Sequence, residues 1–330
     1  MRRTRLGRTD TEISVIGLGS WGHGGLRRVK GHSVGWAGHD DESARRALRE
    51  AYAQGIDHWD TADVYGDGRA EGLMGEVLAE LPRDRLFLAT KVGWDAGPHG
   101  QYYHPEQIRA RLERSLRLLR TKHVDLYYLH HCDFGPQGER LGPALEVLER
   151  FREEGKIRFV GLSDWSAERL LHYAPRVRPD VIQPFRTVCH DELVTSGLRE
   201  WAIENDVGVV FFSPLRHGLL LGKHSRPPDF PVGDHRARIP ELSDPGFLRA
   251  MRECRAAVET RFPERADPVL WALTATLVED TPGSCVLLGL RTEAHARAAG
   301  ALGDPIEPED ARWVRSLYRA AVASPSGEAG

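Results

Sequence analysis

Apolar positions along the chain follow two periods that alternate with each other. Short, mainly apolar runs are typical of strands buried on both faces, and longer segments with one apolar face are typical of helices. The predicted strands are residues 15–18, 56–59, 86–89, 124–129, 157–162, 180–183, 207–212 and 285–288. The helical segments that follow them are 41–54, 69–80, 105–120, 140–154, 166–173, 193–205, 246–262, 267–280 and 293–302. Eight strands, each followed by helical sequence, predict the α/β class and a (β/α)8 TIM barrel.

Five segments lie outside this repeat. Residues 3–14 alternate around a Gly-Arg-Thr-Asp turn and predict an N-terminal β-hairpin. Residues 19–40 are glycine-rich and basic, too irregular for a helix, and 213–245 is long enough for a lid or binding loop. An extra C-terminal helix is predicted at 308–323, followed by a polar tail at 324–330. No linker divides the chain, so residues 1–323 are expected to form a single domain.

Composition excludes several classes of protein. The 330 residues are 41% hydrophobic and 28% charged with a formal net charge of -3, which is ordinary globular composition without a basic field for nucleic acid. The four cysteines are scattered, and neither a signal peptide nor a membrane-spanning apolar run is present. We therefore expect a cytoplasmic protein without a nucleic-acid or membrane partner. The sequence does not indicate an oligomeric state.

Polar side chains recur where the predicted strands end. The carboxyl ends of barrel strands meet at one mouth, so these residues are expected to converge on one pocket. The strand-end residues are Asp60, Lys91, His130, Ser163, Asp164, Gln183, Phe212, Ser213 and, just beyond the last strand, Arg291. Tyr65 lies on the loop after Asp60.

The residues Asp60, Tyr65, Lys91 and His130 form a coherent set for proton transfer. A free tyrosine has a pKa near ~10 and is a weak acid at neutral pH. The Lys91 ammonium group is expected to lower that pKa, and Asp60 to hold Lys91 by a buried ion pair. His130 would orient a substrate oxygen, and Tyr65 would protonate a carbonyl oxygen as hydride reaches the carbon.

Ten segments of the chain, taken in order, resemble the aldo-keto reductases, which are NADPH-dependent (β/α)8 oxidoreductases. The segments are GLGSWG (17–22), GWAGHDDES (35–43), GIDHWDTADVYG (55–66), GDGRAE (66–71), LATKVG (88–93), VDLYYLH (124–130), GLSDWS (161–166), FSPLRHGLLLGK (212–223), GDHRARIP (233–240) and GLRTEAHA (289–296). The resemblance implies that Asp60, Tyr65, Lys91 and His130 are the catalytic tetrad, with Tyr65 as the general acid. It also implies NADP(H) as cofactor and a small carbonyl compound as substrate.

The resemblance further implies a set of cofactor contacts. Ser163 and Gln183 match positions that hold the nicotinamide carboxamide, and Phe212 stands where an aromatic ring stacks on nicotinamide. Arg291 matches the residue facing the 2′-phosphate, a role suited to a guanidinium. The other cofactor positions are Asp164, Ser213, Leu215, Gly218, Lys223, Gly289 and His295.

Two of these positions, and Ala299 close to them, depart from the family pattern. Asp164 stands where Asn is usual, and an ionised Asp cannot donate to the carboxamide oxygen. His295 and Ala299 replace Gln and Asn, so fewer adenine contacts are expected.

Three other interpretations stay open at this level. GLGSWG (17–22) matches a Rossmann fingerprint, but the aperiodic sequence after it favours a tight turn at the barrel mouth. His130, His131 and His190 could suggest a metal-dependent hydrolase, although neighbouring strand residues point to opposite faces and we expect no metal. The chain could also be an NADP(H)-binding sensor or regulatory subunit with little turnover.

Substrate contacts are the least determined part of the site. Trp21 and Trp94 lie on predicted mouth loops and could form an aromatic wall, and Arg186 could contact an anionic group. The sequence leaves the physiological substrate and the direction of the reaction undetermined, because specificity resides in loops.

Overall fold

Eight parallel strands form a closed barrel in the computed structural model, which describes residues 1–29, 32–38 and 40–323. The barrel strands are β3 (Ile16–Gly19), β6 (His58–Asp60), β7 (Phe87–Val92), β8 (Val124–Leu129), β9 (Ile157–Asp164), β10 (Val181–Pro184), β11 (Gly208–Phe211) and β12 (Ser284–Gly289). They neighbour one another in chain order, and β12 closes on β3. The predicted TIM barrel is confirmed, with all eight strands within a few residues of their expected positions.

Helices surround the barrel and cover its outer face. They are α1 (Asp41–Ala53), α2 (Arg69–Leu78), α3 (Pro105–Leu118), α4 (Leu141–Glu153), α5 (Ala167–Val177), α6 (Glu192–Thr195), α7 (Leu198–Glu204), α8 (Pro245–Arg261), α9 (Pro268–Asp280), α10 (Glu293–Gly300) and α11 (Pro308–Ala323). The helix expected at 193–205 is divided in two, because Gly197 adopts a left-handed φ of 83° between α6 and α7. None of the described helices is long and apolar enough to cross a bilayer.

An antiparallel hairpin sits beneath the barrel, as expected from residues 3–14. Its strands are β1 (Arg3–Arg5) and β2 (Glu12–Ser14). Leu6 and Ile13 are fully buried and pack with Phe87 and Leu126 on the barrel's lower layer. The hairpin therefore closes the end of the barrel opposite the strand C-termini, and leaves only the upper end open for a site.

A second hairpin lies at the open end and was not expected. It pairs β4 (Leu26–Val29) with β5 (His32–Gly35) inside the segment 19–40. A short 3-10 turn follows β3, and the first helix begins only at Asp41, so the glycines of GLGSWG (17–22) form a turn and not a Rossmann fingerprint.

The long segment 213–245 also lies at the open end. It carries three 3-10 turns, Leu219–Leu221, His235–Arg238 and Pro240–Ser243, joined by irregular backbone. Asp234 in this segment accepts a hydrogen bond of 2.8 Å from the backbone N–H of Ala37, so the segment is tied to the loop after the second hairpin. The predicted polar tail, 324–330, lies outside the described residues.

Candidate functional site

Asp60 and Lys91 form a buried ion pair where β6 and β7 end. Side-chain exposure is 3% for Asp60 and 1% for Lys91. The Lys91 ammonium group donates to Oδ1 of Asp60 and to the Thr61 carbonyl oxygen, the latter at 2.8 Å. Burial lowers the pKa of Lys91, and the adjacent Asp60 opposes that change. The lysine is therefore held rigidly by two acceptors that belong to the neighbouring strand and its loop.

Tyr65 lies on the loop after β6, with its ring centroid 5.2 Å from Nζ of Lys91. Burial raises the pKa of Tyr65 well above its usual value, and the carboxylates of Asp60 and Asp63 raise it further. Burial therefore outweighs the lowering of this pKa that was expected from Lys91. Tyr65 therefore keeps its proton at neutral pH and is available as a proton donor.

Two glycines let the Tyr65 loop approach the turn after β3. A Cβ on Gly24 would lie 2.8 Å from the Tyr65 carbonyl carbon, and a Cβ on Gly66 would lie 2.0 Å from the Gly24 carbonyl oxygen. Gly66 also has a φ of 63°, which an L side chain rarely adopts. Any larger residue at either position would displace the backbone that carries Tyr65.

His130 follows β8 and faces Tyr65 edge-on, with ring centroids 5.8 Å apart. Burial lowers the pKa of His130 well below its usual value, and the charge of Lys91 lowers it further. Its Nδ1 is buried without a hydrogen-bond partner. The N–H of a neutral imidazole and the O–H of a protonated phenol can both donate to one oxygen atom placed between them.

Ser163 on β9 and Gln183 on β10 are connected to each other and to Asp60 by hydrogen bonds. The Ser163 hydroxyl donates to the backbone carbonyl of Gln183 at 2.9 Å. Nε2 of Gln183 donates to Oδ2 of Asp60 at 2.8 Å. The sequence predicted both residues as cofactor contacts, but the link from Gln183 to Asp60 was missed.

Asp164 is buried and both of its oxygens accept backbone N–H groups. Oδ2 accepts from Cys132 at 2.7 Å, and Oδ1 accepts from Ser166 at 2.9 Å. The carboxylate therefore joins the end of β9 to the loop after β8. This explains physically why an Asp, which offers only acceptors, serves at this position.

Phe212 and the residues that follow it in the chain, 213–218, border the same opening. The Trp165 ring meets Phe212 edge-on at 4.8 Å, and Phe185 lies 5.8 Å from Phe212. Between Ser213 and Gly218 the backbone turns sharply, and positive φ angles occur at Ser213, Arg216, His217 and Gly218. Such strain in non-glycine residues is typical of functional loops.

Basic side chains gather beyond β12. The charges of Lys223 and Arg291 both lower the pKa of His295, although burial is the larger cause. Arg291 donates to the backbone carbonyls of Ala37 and Gly38 at 2.8 and 3.1 Å. Gly289 pairs with Gly19 at the barrel rim, so this basic cluster lies at the mouth.

Two of the three expected substrate contacts lie beside Tyr65 and His130. The Trp21 ring is 6.4 Å from the Tyr65 ring, and the Trp94 ring is 6.1 Å from the His130 ring. Trp94 is 44% exposed, as a wall at the opening requires.

The third expected contact, Arg186, is wrong. Arg186 is 1% exposed and points away from the opening, with donors directed to the His190 carbonyl, Asp191 and Asp280. Strand alternation could not have found this, because Arg186 lies beyond the end of β10 at Pro184.

A cavity of about 380 Å³ adjoins Phe212 and was not recognised in the sequence. Its lining comes from three loops and consists of Trp165, Phe185, His190, Arg216, His217, Arg238, Ile239, Pro240 and Glu241. Because the lining residues are far apart in the sequence, no local motif indicates that they meet.

Neither histidine group converges on a metal position. Both ring nitrogens of His131 bond to backbone, at 2.8 Å to Gly93 and 3.0 Å to Asp133. Among the described residues, ligand atoms come together only at His99, His104 and Glu106. The two rings there stack at 3.8 Å and 4°, so their nitrogen lone pairs run parallel and do not meet at one ion.

Comparison with known proteins agrees with this geometry. The model of the Aldo/keto reductase family matches residues 15–315. An aldo-keto reductase of Bacillus subtilis is 29% identical over 338 residues, covering 99% of this chain and 96% of that protein. The NADP(+) aldo-keto reductase yakc of Schizosaccharomyces pombe is 31% identical over 246 residues, covering 72% of this chain and 68% of its own. The solved glycerol dehydrogenase of Gluconobacter oxydans is 26% identical, with a TM-score of 0.79 over 99% of this chain and 98% of its own.

Proposed function

The chain belongs to the aldo/keto reductase family of NADP-dependent oxidoreductases, and we propose that it reduces an aldehyde or ketone to an alcohol with NADPH. The observation that carries this proposal is the meeting of Asp60, Lys91, Tyr65 and His130 at one end of the barrel.

The residues around the opening fit NADPH. Gln183 and Ser163 offer polar groups at the barrel rim for the carboxamide, and Phe212 offers an aromatic face. Lys223 and Arg291 supply positive charge for phosphate, and the NADP(+) relative is consistent with this assignment. When bound there, NADPH supplies the hydride for the carbonyl carbon.

Tyr65 provides the proton in this proposal. Its raised pKa keeps the phenol protonated, so it donates to the carbonyl oxygen as negative charge develops there. The Lys91 ammonium, 5.2 Å from the ring, stabilises the phenolate that remains. Neutral His130 donates a second hydrogen bond to the same oxygen and orients it.

The test is aldehyde reduction by Tyr65→Phe, followed through NADPH absorbance. We expect turnover to fall by about a thousandfold or more while NADPH still binds, because only the proton donor is lost. Tyr52→Phe, on α1 and away from the opening, is the matched control and should retain full activity. Undiminished turnover in Tyr65→Phe would exclude Tyr65 as the acid, and an inactive wild type across many carbonyl compounds would exclude the function.

A further inference from the structure

We propose that Gln183 positions the Asp60–Lys91 pair, in addition to any contact with the nicotinamide. The inference rests on the proposed function, because the ion pair matters only if Tyr65 transfers a proton. It starts from one contact: the Gln183 amide donates to Oδ2 of Asp60 at 2.8 Å, and both residues are 2% exposed.

The contact spans the barrel. Asp60 ends β6 and Gln183 lies on β10, and four steps separate these strands in either direction around the eight-stranded ring. Lys91 on β7 holds Oδ1 of the same carboxylate. One donor from the neighbouring strand and one from across the barrel therefore fix the rotation of the Asp60 carboxylate and, through it, the position of the ammonium group.

Gln183 is suited to this role because its own backbone is held. Its carbonyl oxygen accepts from the Ser163 hydroxyl at 2.9 Å, and Val181 and Ile182 pair with both neighbouring strands. Without the amide, Oδ2 of Asp60 would be a buried acceptor with no hydrogen bond, which is costly in the interior. The bond uses one amide N–H, and a further side-chain hydrogen bond links Gln183 to the phenol of Tyr128.

This arrangement couples the nicotinamide site to the proton donor. The charged and titratable groups facing Tyr65 are Asp60 on β6, Asp63 on the loop, Lys91 on β7 and His130 after β8. The Gln183 donor withdraws negative charge from Asp60, the only one of these groups that it contacts. Loss of the donor would leave more charge facing Tyr65, which raises the pKa of Tyr65 further and slows its proton transfer.

The experiment compares Gln183→Met, which keeps side-chain length but removes the donor, with Gln107→Met. Gln107 on α3 is also buried and donates to a backbone carbonyl, so it controls for loss of a buried amide. At saturating NADPH we expect Gln183→Met to lower kcat about tenfold and to move the alkaline limb of its pH profile upward, with the control unchanged. A change confined to NADPH affinity, with kcat and its pH profile retained, would overturn the proposal.

A second readout needs neither cofactor nor turnover. In urea unfolding of the cofactor-free protein, Gln183→Met should lower the midpoint in wild type but not in an Asp60→Ala background, because the contact is already absent there. Additive losses in the two backgrounds would overturn the contact. If the wild type reduced no carbonyl compound, the proposed function would fail, yet this cycle would still report on the contact alone.

Discussion

The carboxyl group of Asp63 lies 3.8 Å from the guanidinium of Arg111, yet neither of its buried oxygens has a hydrogen-bond partner. Arg111 instead donates to Asp95. Burial raises the pKa of Asp63 to about 8, and the nearby Glu71 raises it as well. Asp63 is therefore protonated at neutral pH, on the same loop that carries Tyr65.

Asp63→Asn should remove a pH-dependent loss of stability. Because the folded pKa lies above the unfolded one, the folded state binds more protons between them, so stability falls as pH rises from about 4 to about 8. Asn has the same shape and no charge to bury, so the variant should be more stable than wild type at pH 9 by about 1–3 kcal/mol. Urea unfolding at several pH values measures the difference.

The control for this prediction is Asp67→Asn, on the same loop with a 61% exposed side chain. It should leave the pH dependence as in wild type. Parallel stability curves for wild type and Asp63→Asn between pH 5 and pH 9 would mean that Asp63 does not titrate in this range.

Arg291→Ala should weaken NADPH binding more than NADH binding. The guanidinium lies half-buried beside the carbonyls of Ala37 and Gly38, and Lys223 contributes to the same positive region. Loss of a bidentate phosphate contact should raise the NADPH Kd by about tenfold to a hundredfold and the NADH Kd by less than about threefold. Tryptophan quenching with each cofactor measures both constants.

Arg297→Ala supplies the comparison, since Arg297 lies on α10 with a 57% exposed side chain. We expect no change in cofactor preference for it. If Arg291→Ala weakened NADPH and NADH binding equally, Arg291 would support the loop after the second hairpin and would not bind a phosphate.

Asp164→Asn should destabilise the fold. The carboxylate accepts from the N–H groups of Cys132 and Ser166 with its two oxygens. Asn offers one oxygen, so its NH2 group would face one of these N–H donors without an acceptor, at a cost of about 1–2 kcal/mol. Urea unfolding measures this, with the exposed loop residue Asp133 changed to Asn as control. A stabilised or unchanged Asp164→Asn protein would contradict the assigned contacts.

The barrel could be predicted because buried parallel strands appear in the sequence as short apolar runs. The run 124–129, for example, is apolar enough to fix both ends of β8. The hairpin of β4 and β5 could not be predicted in this way, since its apolar residues, Leu26, Val29 and Val34, do not alternate with polar ones. Its position depends on contacts with segments distant in sequence, such as the bond from Ala37 to Asp234.

In the site, too, some features could be predicted from local sequence, and others depend on residues that meet only in the fold. Asp60, Lys91 and His130 could be predicted to lie together because each follows a strand, and the carboxyl ends of barrel strands meet at one mouth. The balance of charges on Tyr65 could not be read in this way. Its pKa depends on burial and on Asp63, neither of which strand spacing reveals.

Trp21→Leu should alter substrate preference without abolishing catalysis. Trp21 packs 6.4 Å from Tyr65 and is itself held by His217 and His235 at 5.6 and 5.1 Å, so its ring forms a fixed apolar wall beside the proton donor. An aromatic aldehyde should lose about tenfold or more in kcat/KM, because ring–ring contact and buried area are both reduced, whereas propanal should lose less than about threefold. Steady-state assays of benzaldehyde and propanal measure the two losses, and Trp201→Leu on α7 should change neither. If both aldehydes lost activity equally, Trp21 would support the position of Tyr65 and would not select the substrate.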